Sequence, residues 1–224
     1  MSFVLQTEAA VDSVGLATGG GTSLFELIMK GGIVMIPLII LSLLSIWFII
    51  ERYLYIRDMS RIDPNLVKQV LDKVYNGQID SASLLCEQNK TSLGNVIKAG
   101  VDSLGKPLEH VKEAISVQSS IEMSAMESKM GYISIISGIA PRLGFIGTIL
   151  GVITIFYSIA QTADISIGTI SEGLYQKMIS SGAGLLVGMI AFLGYNYLLT
   201  KVDNFSLYLQ KEVLEFMKGI DKPI

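Results

Sequence analysis

Three long apolar segments constrain this chain more than any other feature of its sequence. The first, IVMIPLIILSLLSIWFII at residues 33–50, contains no charged residue, and two more run over residues 143–160 and 178–199. A helix of about 20 apolar residues is long enough to cross the hydrocarbon core of a bilayer. None of the three segments contains Asp or Glu. Each is therefore predicted to be a transmembrane helix.

Composition narrows the class of protein. Only 17 % of the 224 residues are charged, whereas soluble domains usually contain about 25 %. The net charge of −3 gives no reason to expect a nucleic-acid partner. Cys86 and His110 are single examples of their types, so neither an internal disulfide nor a Cys/His metal site is expected. No span combines a nucleophile with a base or a metal cluster. We therefore predict an integral membrane protein that is not an enzyme and has no catalytic residue, cofactor or metal.

The polar sequence between the spans has helical patterning. After Pro107, the stretch PLEHVKEAISVQSSIEMSAMESKM contains no further Gly or Pro until Gly131. It is predicted to form one helix that continues into the second span. The tail VDNFSLYLQKEVLEFMK is predicted to extend the third span in the same way. The predicted fold class is all-α, with three transmembrane helices and long cytoplasmic helical extensions.

Lysine and arginine residues are distributed unevenly around the spans. Residues 51–130 contain ten of the seventeen, and the connection at residues 161–172 contains none. Because cytoplasmic segments are enriched in these residues, the central block and the C-terminal tail are predicted to be cytoplasmic, and the N-terminus and the 161–172 loop to lie outside. The predicted segments are 1–32 (outer segment with an interfacial helix), 33–50 (first span), 51–130 (cytoplasmic helical domain), 131–160 (second span), 161–172 (outer loop), 173–200 (third span) and 201–224 (cytoplasmic helix).

The second span contains the unusual stretch APRLGFIGTILG at residues 140–151. At about 100° per residue, one narrow helix face carries Gly144, Gly147, Thr148 and Gly151. Arg142 points to nearly the opposite side. Pro141–Arg142 is predicted to mark the inner membrane interface and to face away from the glycine surface.

The third span repeats this device with a stripe formed by Lys177, Ser181, Gly184 and Gly188, with Ser180 beside it. Such stripes suit close helix packing, because small residues let backbones approach, and they also suit the lining of a pore. Spacing alone favours packing. A proton route through a membrane usually requires a titratable carboxylate or histidine, and the three spans contain neither. Either the chain conducts no ions, or a partner helix supplies the acid.

These motifs resemble the MotA/TolQ/ExbB proton-channel family. The family's second-span motif, a proline followed by a Gly-x-x-Gly-Thr-x-x-Gly run, is matched here by Pro141, Gly144, Gly147, Thr148 and Gly151. The family's last helix has a hydroxyl residue before a Gly-Leu step and a Tyr-Asn pair at its cytoplasmic end, matched by Ser181, Gly184-Leu185 and Tyr195-Asn196. The three-span layout is similar to the ExbB/TolQ branch rather than to the four-span flagellar stators.

The resemblance implies an ExbB- or TolQ-like subunit of an ion-driven motor in the bacterial inner membrane, with a periplasmic N-terminus and a cytoplasmic C-terminus. Such proteins form pentamers around a dimer of small ExbD/TolR-like chains, whose single membrane helices carry an aspartate. Flow of H⁺ or Na⁺ then drives a TonB- or TolA-like protein in outer-membrane transport or maintenance. By resemblance, the ion-pathway residues are Thr148, Ser181, Ser180 and Gln176. The spacing of small residues assigns Gly144, Gly147, Gly151, Gly184 and Gly188 to helix packing.

Two residues need separate interpretation. Gln176 stands where many family members have a glutamate, and its amide can form hydrogen bonds but cannot titrate. The alternatives are that Glu172, one turn earlier, substitutes for that glutamate, or that Gln176 lines the outer mouth. Lys177 is either a lysine that snorkels to the membrane interface or an electrostatic control on ion access. The rival hypothesis keeps the topology but makes the chain a non-conducting membrane scaffold.

Overall fold

The computed structural model describes residue 32 and residues 34–162 and 167–221. Within these ranges all regular structure is α-helical, so the predicted fold class is confirmed. The predicted outer segment 1–32 with its interfacial helix lies outside the described residues, apart from Gly32. The helices are α1 (Met35–Met59), α2 (Leu66–Tyr75), α3 (Ile79–Asn89), α4 (Ser92–Val101), α5 (Leu108–Glu127), α6 (Met130–Thr162) and α7 (Ile167–Ile220).

Three helical stretches of the described chain are long and apolar enough to cross a membrane, and they include α1, α6 and α7. Pro37 lies in the first turn of α1, where a missing N–H breaks no helical hydrogen bond. α7 is continuous from the third apolar segment to Ile220, as predicted. Because α6 ends at Thr162 and α7 begins at Ile167, helix occupies part of the predicted 161–172 loop.

The chain divides into two compact units. The first, which we call the membrane unit, comprises Met1–Ser42 and Ser137–Met189. The second, which we call the bundle unit, comprises Leu43–Ile136 and Ile190–Ile224. Helices α1, α6 and α7 contribute residues to both units, whereas α2 to α5 belong entirely to the bundle unit.

Large apolar side chains form the core of the bundle unit. Phe216 of α7 is fully buried, as are Leu93 and Ile97 of α4. The Phe216 ring and the Ile115 side chain of α5 both lie against Gly100 of α4, where an added Cβ would be 2.8 Å from each. This core therefore fixes the C-terminal part of α7 to α4 and α5.

Glu122 of α5 is a buried carboxylate in the same unit. It accepts hydrogen bonds from Ser92 Oγ at 2.7 Å, Asn95 Nδ2 at 2.9 Å and Gln118 Nε2 at 3.0 Å. These three donors replace the water that burial removes from the carboxylate. Because Glu122 points inward, it adds no charge to the exposed side of α5.

The prediction of one continuous helix from Pro107 into the second span is wrong. α5 ends at Glu127 and α6 begins at Met130. Between them, Lys129 has φ = +63°, a left-handed conformation that a right-handed helix cannot contain. The helix is therefore interrupted without the help of Gly or Pro.

Arg52 of α1 accounts for this interruption. Its buried guanidinium donates hydrogen bonds to the carbonyl oxygens of Ala125 at 3.2 Å and Ser128 at 3.0 Å. Glu51 forms ion pairs with Arg52 at 2.7 Å and with Lys129 at 2.9 Å. These contacts satisfy carbonyl groups that the end of α5 leaves without helical partners.

Candidate functional site

The last two spans contact each other backbone to backbone. A Cβ placed on Gly184 of α7 would lie 2.6 Å from the Ala140 carbonyl oxygen and 3.0 Å from Gly144 Cα. A Cβ placed on Gly144 of α6 would lie 3.0 Å from the Ser180 carbonyl oxygen. Side chains larger than hydrogen do not fit at these separations without movement of the backbone. This contact between α6 and α7, which we call the seam, therefore requires glycine.

Pro141 belongs to the seam, so the prediction that it faces away is wrong. Its ring lies against Gly188, where a Cβ would be 2.5 Å from Pro141 Cγ and 3.0 Å from the Ser137 carbonyl oxygen. The glycine gives the proline ring room within the helix pair. The sequence did contain the necessary signal, because a residue three positions before Gly144 lies on the same helix face. Arg142 is exposed, in agreement with its predicted direction.

Lys177 covers one end of the seam. Its methylene chain crosses Gly151, where an added Cβ would lie 2.6 Å from Lys177 Cε. Its ammonium reaches the residues that precede α1, since Nζ would lie 3.5 Å from a Cβ on Gly32. The stem of the lysine thus fills space in the seam while the charged end extends beyond it, the arrangement typical of a snorkelling lysine.

One rim of the seam is covered by α1 and the residue that precedes it. A Cβ on Gly147 would lie 3.0 Å from Ser180 Oγ and 3.3 Å from Val34 Cγ1. Ser180 is buried there, and its hydroxyl donates to the Lys177 carbonyl oxygen at 2.9 Å. The cover is apolar: Val34, Met35 and Leu38 pack with Ala140, Leu143, Ala183 and Val187.

The seam helices run antiparallel. Gly144 meets Ser181 while Gly151 meets Lys177, so residue numbers rise along α6 as they fall along α7. In an antiparallel pair, a positive rotation, counted in the direction of increasing residue number on each helix, leads to the same side of the contact for both helices. At about 100° per residue, rotation is counted from Gly144 in α6 and from Gly184 in α7.

Thr148 and Ser181 lie on the rim opposite α1. Their rotations are about +40° and +60°, whereas those of Gly147 and Ser180, which contact each other beneath α1, are about −60° and −40°. Both side chains are half-buried, and the Thr148 hydroxyl donates to the Phe145 carbonyl oxygen at 2.6 Å. The seam therefore separates the predicted hydroxyl residues, with Ser180 under α1 and the other two together on the uncovered rim.

The uncovered rim carries two hydroxyl groups, and its described side chains include no acid. Gln176 lies in α7 at a rotation of about −80° from Gly184, on the side of Ser180 rather than on the uncovered rim. Its side chain and that of Glu172 are outside the described part of the chain. Among the residues that the structure describes, no group of His, Cys, Asp and Glu is placed to hold a metal ion. Hydroxyl groups can donate and accept hydrogen bonds to water, a cation or a carboxylate. They cannot bind and release a proton at neutral pH as a carboxylate or histidine can.

This architecture defines the class of protein: an α-helical integral membrane protein with three helices long and apolar enough to span a membrane and with two hydroxyl residues beside a glycine-packed contact between the last two. A comparison with known families agrees. The model of the MotA/TolQ/ExbB proton channel family matches residues 88–211, more than half of the chain. The protein belongs to this family, and the family together with the apolar helices supports a location in the inner membrane.

Individual relatives point to the ExbB and TolQ branch. An ExbB homolog of Methanothermobacter thermautotrophicus, described as a biopolymer transport protein, is 24% identical over 81% of this chain, and the alignment covers 65% of that relative, slightly less than two thirds. An ExbB-like biopolymer transport protein of Synechocystis is 23% identical over 79% of this chain and 71% of its own length. The Tol-Pal system protein TolQ of Haemophilus influenzae is 21% identical over 80% of this chain and 85% of its own length.

Proposed function

We propose that this protein is an ExbB/TolQ-like subunit of an ion-driven motor in the inner membrane. Several copies, five by analogy with the family, surround the membrane helices of a dimer of a small ExbD/TolR-like protein. The N-terminus is periplasmic, and residues 51–130 and the C-terminal tail are cytoplasmic. Proton flow through the complex drives a TonB- or TolA-like protein that acts on the outer membrane.

The observation that carries this proposal is the position of Thr148 and Ser181 together on the rim that α1 leaves uncovered. The rim under α1 is closed by apolar side chains. On the uncovered side, Phe145 and Leu185 flank the hydroxyl residues and are themselves exposed. A helix from a partner can therefore reach both hydroxyls without displacing α1.

The absence of acids from the three spans favours a partner of definite chemistry. A proton route needs a titratable group at membrane depth, and none of the spans has a carboxylate or histidine. A single-span partner with an aspartate would supply that group. Thr148 and Ser181 would then offer hydrogen bonds to the carboxylate or to water beside it.

Ion flux through the purified complex tests the proposal. Thr148→Ala and Ser181→Ala, each copurified with the partner and reconstituted in proteoliposomes, should reduce flux to the level of protein-free vesicles. The matched control is Thr154→Ala. Thr154 lies in the same helix and donates its hydroxyl to the Leu150 carbonyl oxygen at 2.8 Å, but it is rotated about −80° from Gly144, away from the uncovered rim. It should retain flux.

The outcomes separate two functions. Full flux in both hydroxyl variants would remove these side chains from the ion route. An intact complex with no flux of H⁺ or Na⁺ in the unmodified protein would instead favour the non-conducting scaffold. Flux measured separately with proton and sodium gradients identifies the ion.

A further inference from the structure

Between Glu113 and Glu127, the exposed side of α5 lacks the charges that a water-facing helix normally carries. Between Glu113 and Glu127 the only charged residue is Glu122, which is buried and hydrogen-bonded inside the bundle unit. Helices that face water usually place charged residues on the outer side. The exposed residues of this stretch, which we call the α5 face, are Ser116, Val117, Ser120, Ile121 and Ser124.

The α5 face is not expected to contact lipid. α5 lies in residues 51–130, outside the three apolar segments, and Val117 and Ile121 are 55% and 54% exposed. Serine side chains are short, so they permit a second helix to approach closely, as small residues do at other helix contacts. The composition of the α5 face therefore suits contact with a protein helix.

A groove continues the α5 face towards α7. Its volume is about 420 Å³, and Ser116 and Ser120 belong both to the groove and to the α5 face. The groove runs along α5 from Lys112 to Met123, about 16 Å at 1.5 Å per residue. Its apolar lining comes from both helices: Ile115, Met123, Leu209, Val213 and Met217.

The tail of α7 carries a row of side chains that matches this groove in length and chemistry. Leu207 and Leu214 are 66% and 54% exposed. They are seven residues apart and hence on one helix face, about 10 Å from each other. Lys211 and Lys218 share that face and are exposed. We call Leu207, Lys211, Leu214 and Lys218 the α7 ridge.

Charges at one end of the two surfaces are complementary. Glu109 and Glu113 are exposed at the start of α5, on the same side as the α5 face, and Lys218 ends the α7 ridge. Lys112 and Met217 line the same groove, so the start of α5 and the end of α7 lie at the same level of the bundle. In copies related by rotation about an axis along the membrane normal, corresponding residues lie at the same height. The acids of one copy would then meet Lys218 of the next.

We propose that the α7 ridge of one copy docks on the α5 face and groove of the neighbouring copy. The two surfaces differ and occur on the same chain, so the contact is heterologous and can close into a ring. The inference rests on the homo-oligomer in the proposed function and assigns its contact outside the membrane. Leu207 and Leu214 fill the groove, and the acids of α5 set the register against Lys218.

Disulfide crosslinking in membranes tests the contact. Ser120→Cys combined with Leu207→Cys should give dimers and a ladder of larger species on oxidation, whereas either substitution alone should give none. The native Cys86 should not interfere, because it is buried and burial raises its pKa to about 12, which suppresses the reactive thiolate. The control pair is Ser120→Cys with Leu84→Cys, because Leu84 is exposed on α3 but lies outside both surfaces. A ladder from the control pair equal to that from the test pair would overturn the proposal.

Charge reversal tests the register. Glu113→Lys should lower the yield of the Ser120→Cys/Leu207→Cys ladder by about two- to fivefold, the range expected for an exposed ion pair. Adding Lys218→Glu should restore it. An unaltered yield in Glu113→Lys would contradict the proposed register.

Mass measurement of the detergent-purified protein separates two kinds of failure. A single-chain mass for the unmodified protein would overturn the proposed oligomer. An oligomer that keeps its size in Leu207→Glu/Leu214→Glu and gives no ladder in the test pair would overturn only this contact. Loss of the oligomer in that variant, with the helical circular dichroism unchanged, is the expected result.

Discussion

The seam of the membrane unit and the core of the bundle unit are packed by different means. In the seam, backbone meets backbone, with Gly184 against the Ala140 carbonyl oxygen. In the bundle, Phe216, Leu93 and Ile97 fill the interior with large side chains. The difference follows from the surroundings. Apolar burial drives association in water, whereas lipid offers no such drive and spans depend on close contact.

The polar groups of the bundle unit and of the seam also differ. The bundle unit buries the charged residues Arg52 and Glu122, each with several hydrogen-bond partners. The seam contains hydroxyl groups bonded to the backbone of their own helix, as in Thr148 and Ser180. The three apolar segments contain no carboxylate or histidine, so in the proposed function the acid of the ion route comes from the partner chain.

The largest effect is expected from truncating the bundle core. Phe216→Ala removes a fully buried ring and should lower the free energy of unfolding by about 3–5 kcal/mol. Thermal unfolding of the protein in detergent, followed by circular dichroism, measures the change. Leu84→Ala is the control, because Leu84 is exposed on α3 and should change the stability little. Equal effects of the two substitutions would show that α7 does not hold the bundle together.

A single added methyl group should distinguish the seam from the bundle. Gly184→Ala places a Cβ 2.6 Å from a backbone oxygen, whereas Gly100→Ala in the bundle places one 2.8 Å from the side chains of Ile115 and Phe216. The seam substitution should cost about 1–3 kcal/mol, and the bundle substitution less, because side chains can shift more readily than the backbone. Gly182→Ala, with no atom within 4 Å of the new Cβ, should be neutral. Thermal unfolding of the three variants compares them, and equal melting temperatures for Gly184→Ala and Gly182→Ala would contradict the seam.

The sequence predicted the spans and the glycine faces because both depend on local periodicity. Length and hydropathy define a span, and a rotation of about 100° per residue places Gly144, Gly147 and Gly151 on one face. Which helix faces contact each other does not follow from local periodicity. The sequence alone did not separate Ser180, under α1, from Thr148 and Ser181 on the uncovered rim, because that division depends on where α1 packs.

The interruption between α5 and α6 shows the same limit. No Gly or Pro marks it, and Lys129 adopts its left-handed conformation next to Ser128. The carbonyl oxygen of Ser128 is bound by Arg52, 76 residues earlier in the chain. Local helix propensity favours continuation of the helix there, but the hydrogen bonds from the distant Arg52 guanidinium stabilise the interruption. The ion pairs of Glu51 with Arg52 and Lys129 strengthen that contact.

The smallest expected effect concerns pH and the bundle unit. Glu212 in the tail of α7 is buried, and its pKa is raised from 4.5, chiefly by burial and next by the nearby Glu215, against the opposing charge of Lys211. The folded protein therefore holds this proton more tightly than the unfolded chain does. Stability from this group is complete below pH 4.5 and is lost as pH rises through the folded-state pKa.

Glu212→Gln removes this dependence while keeping the shape of the side chain. The variant and the unmodified protein should have similar melting temperatures below pH 4.5, and the variant should become the more stable of the two as pH rises above that value. Glu127→Gln, which removes an exposed carboxylate at the end of α5, is the control and should show no such divergence. A melting-temperature difference for Glu212→Gln that is the same at every pH would mean that burial of charge does not decide the role of Glu212. The described side chains of the seam include hydroxyl groups but no carboxylate, so the comparison of these variants tests the bundle unit.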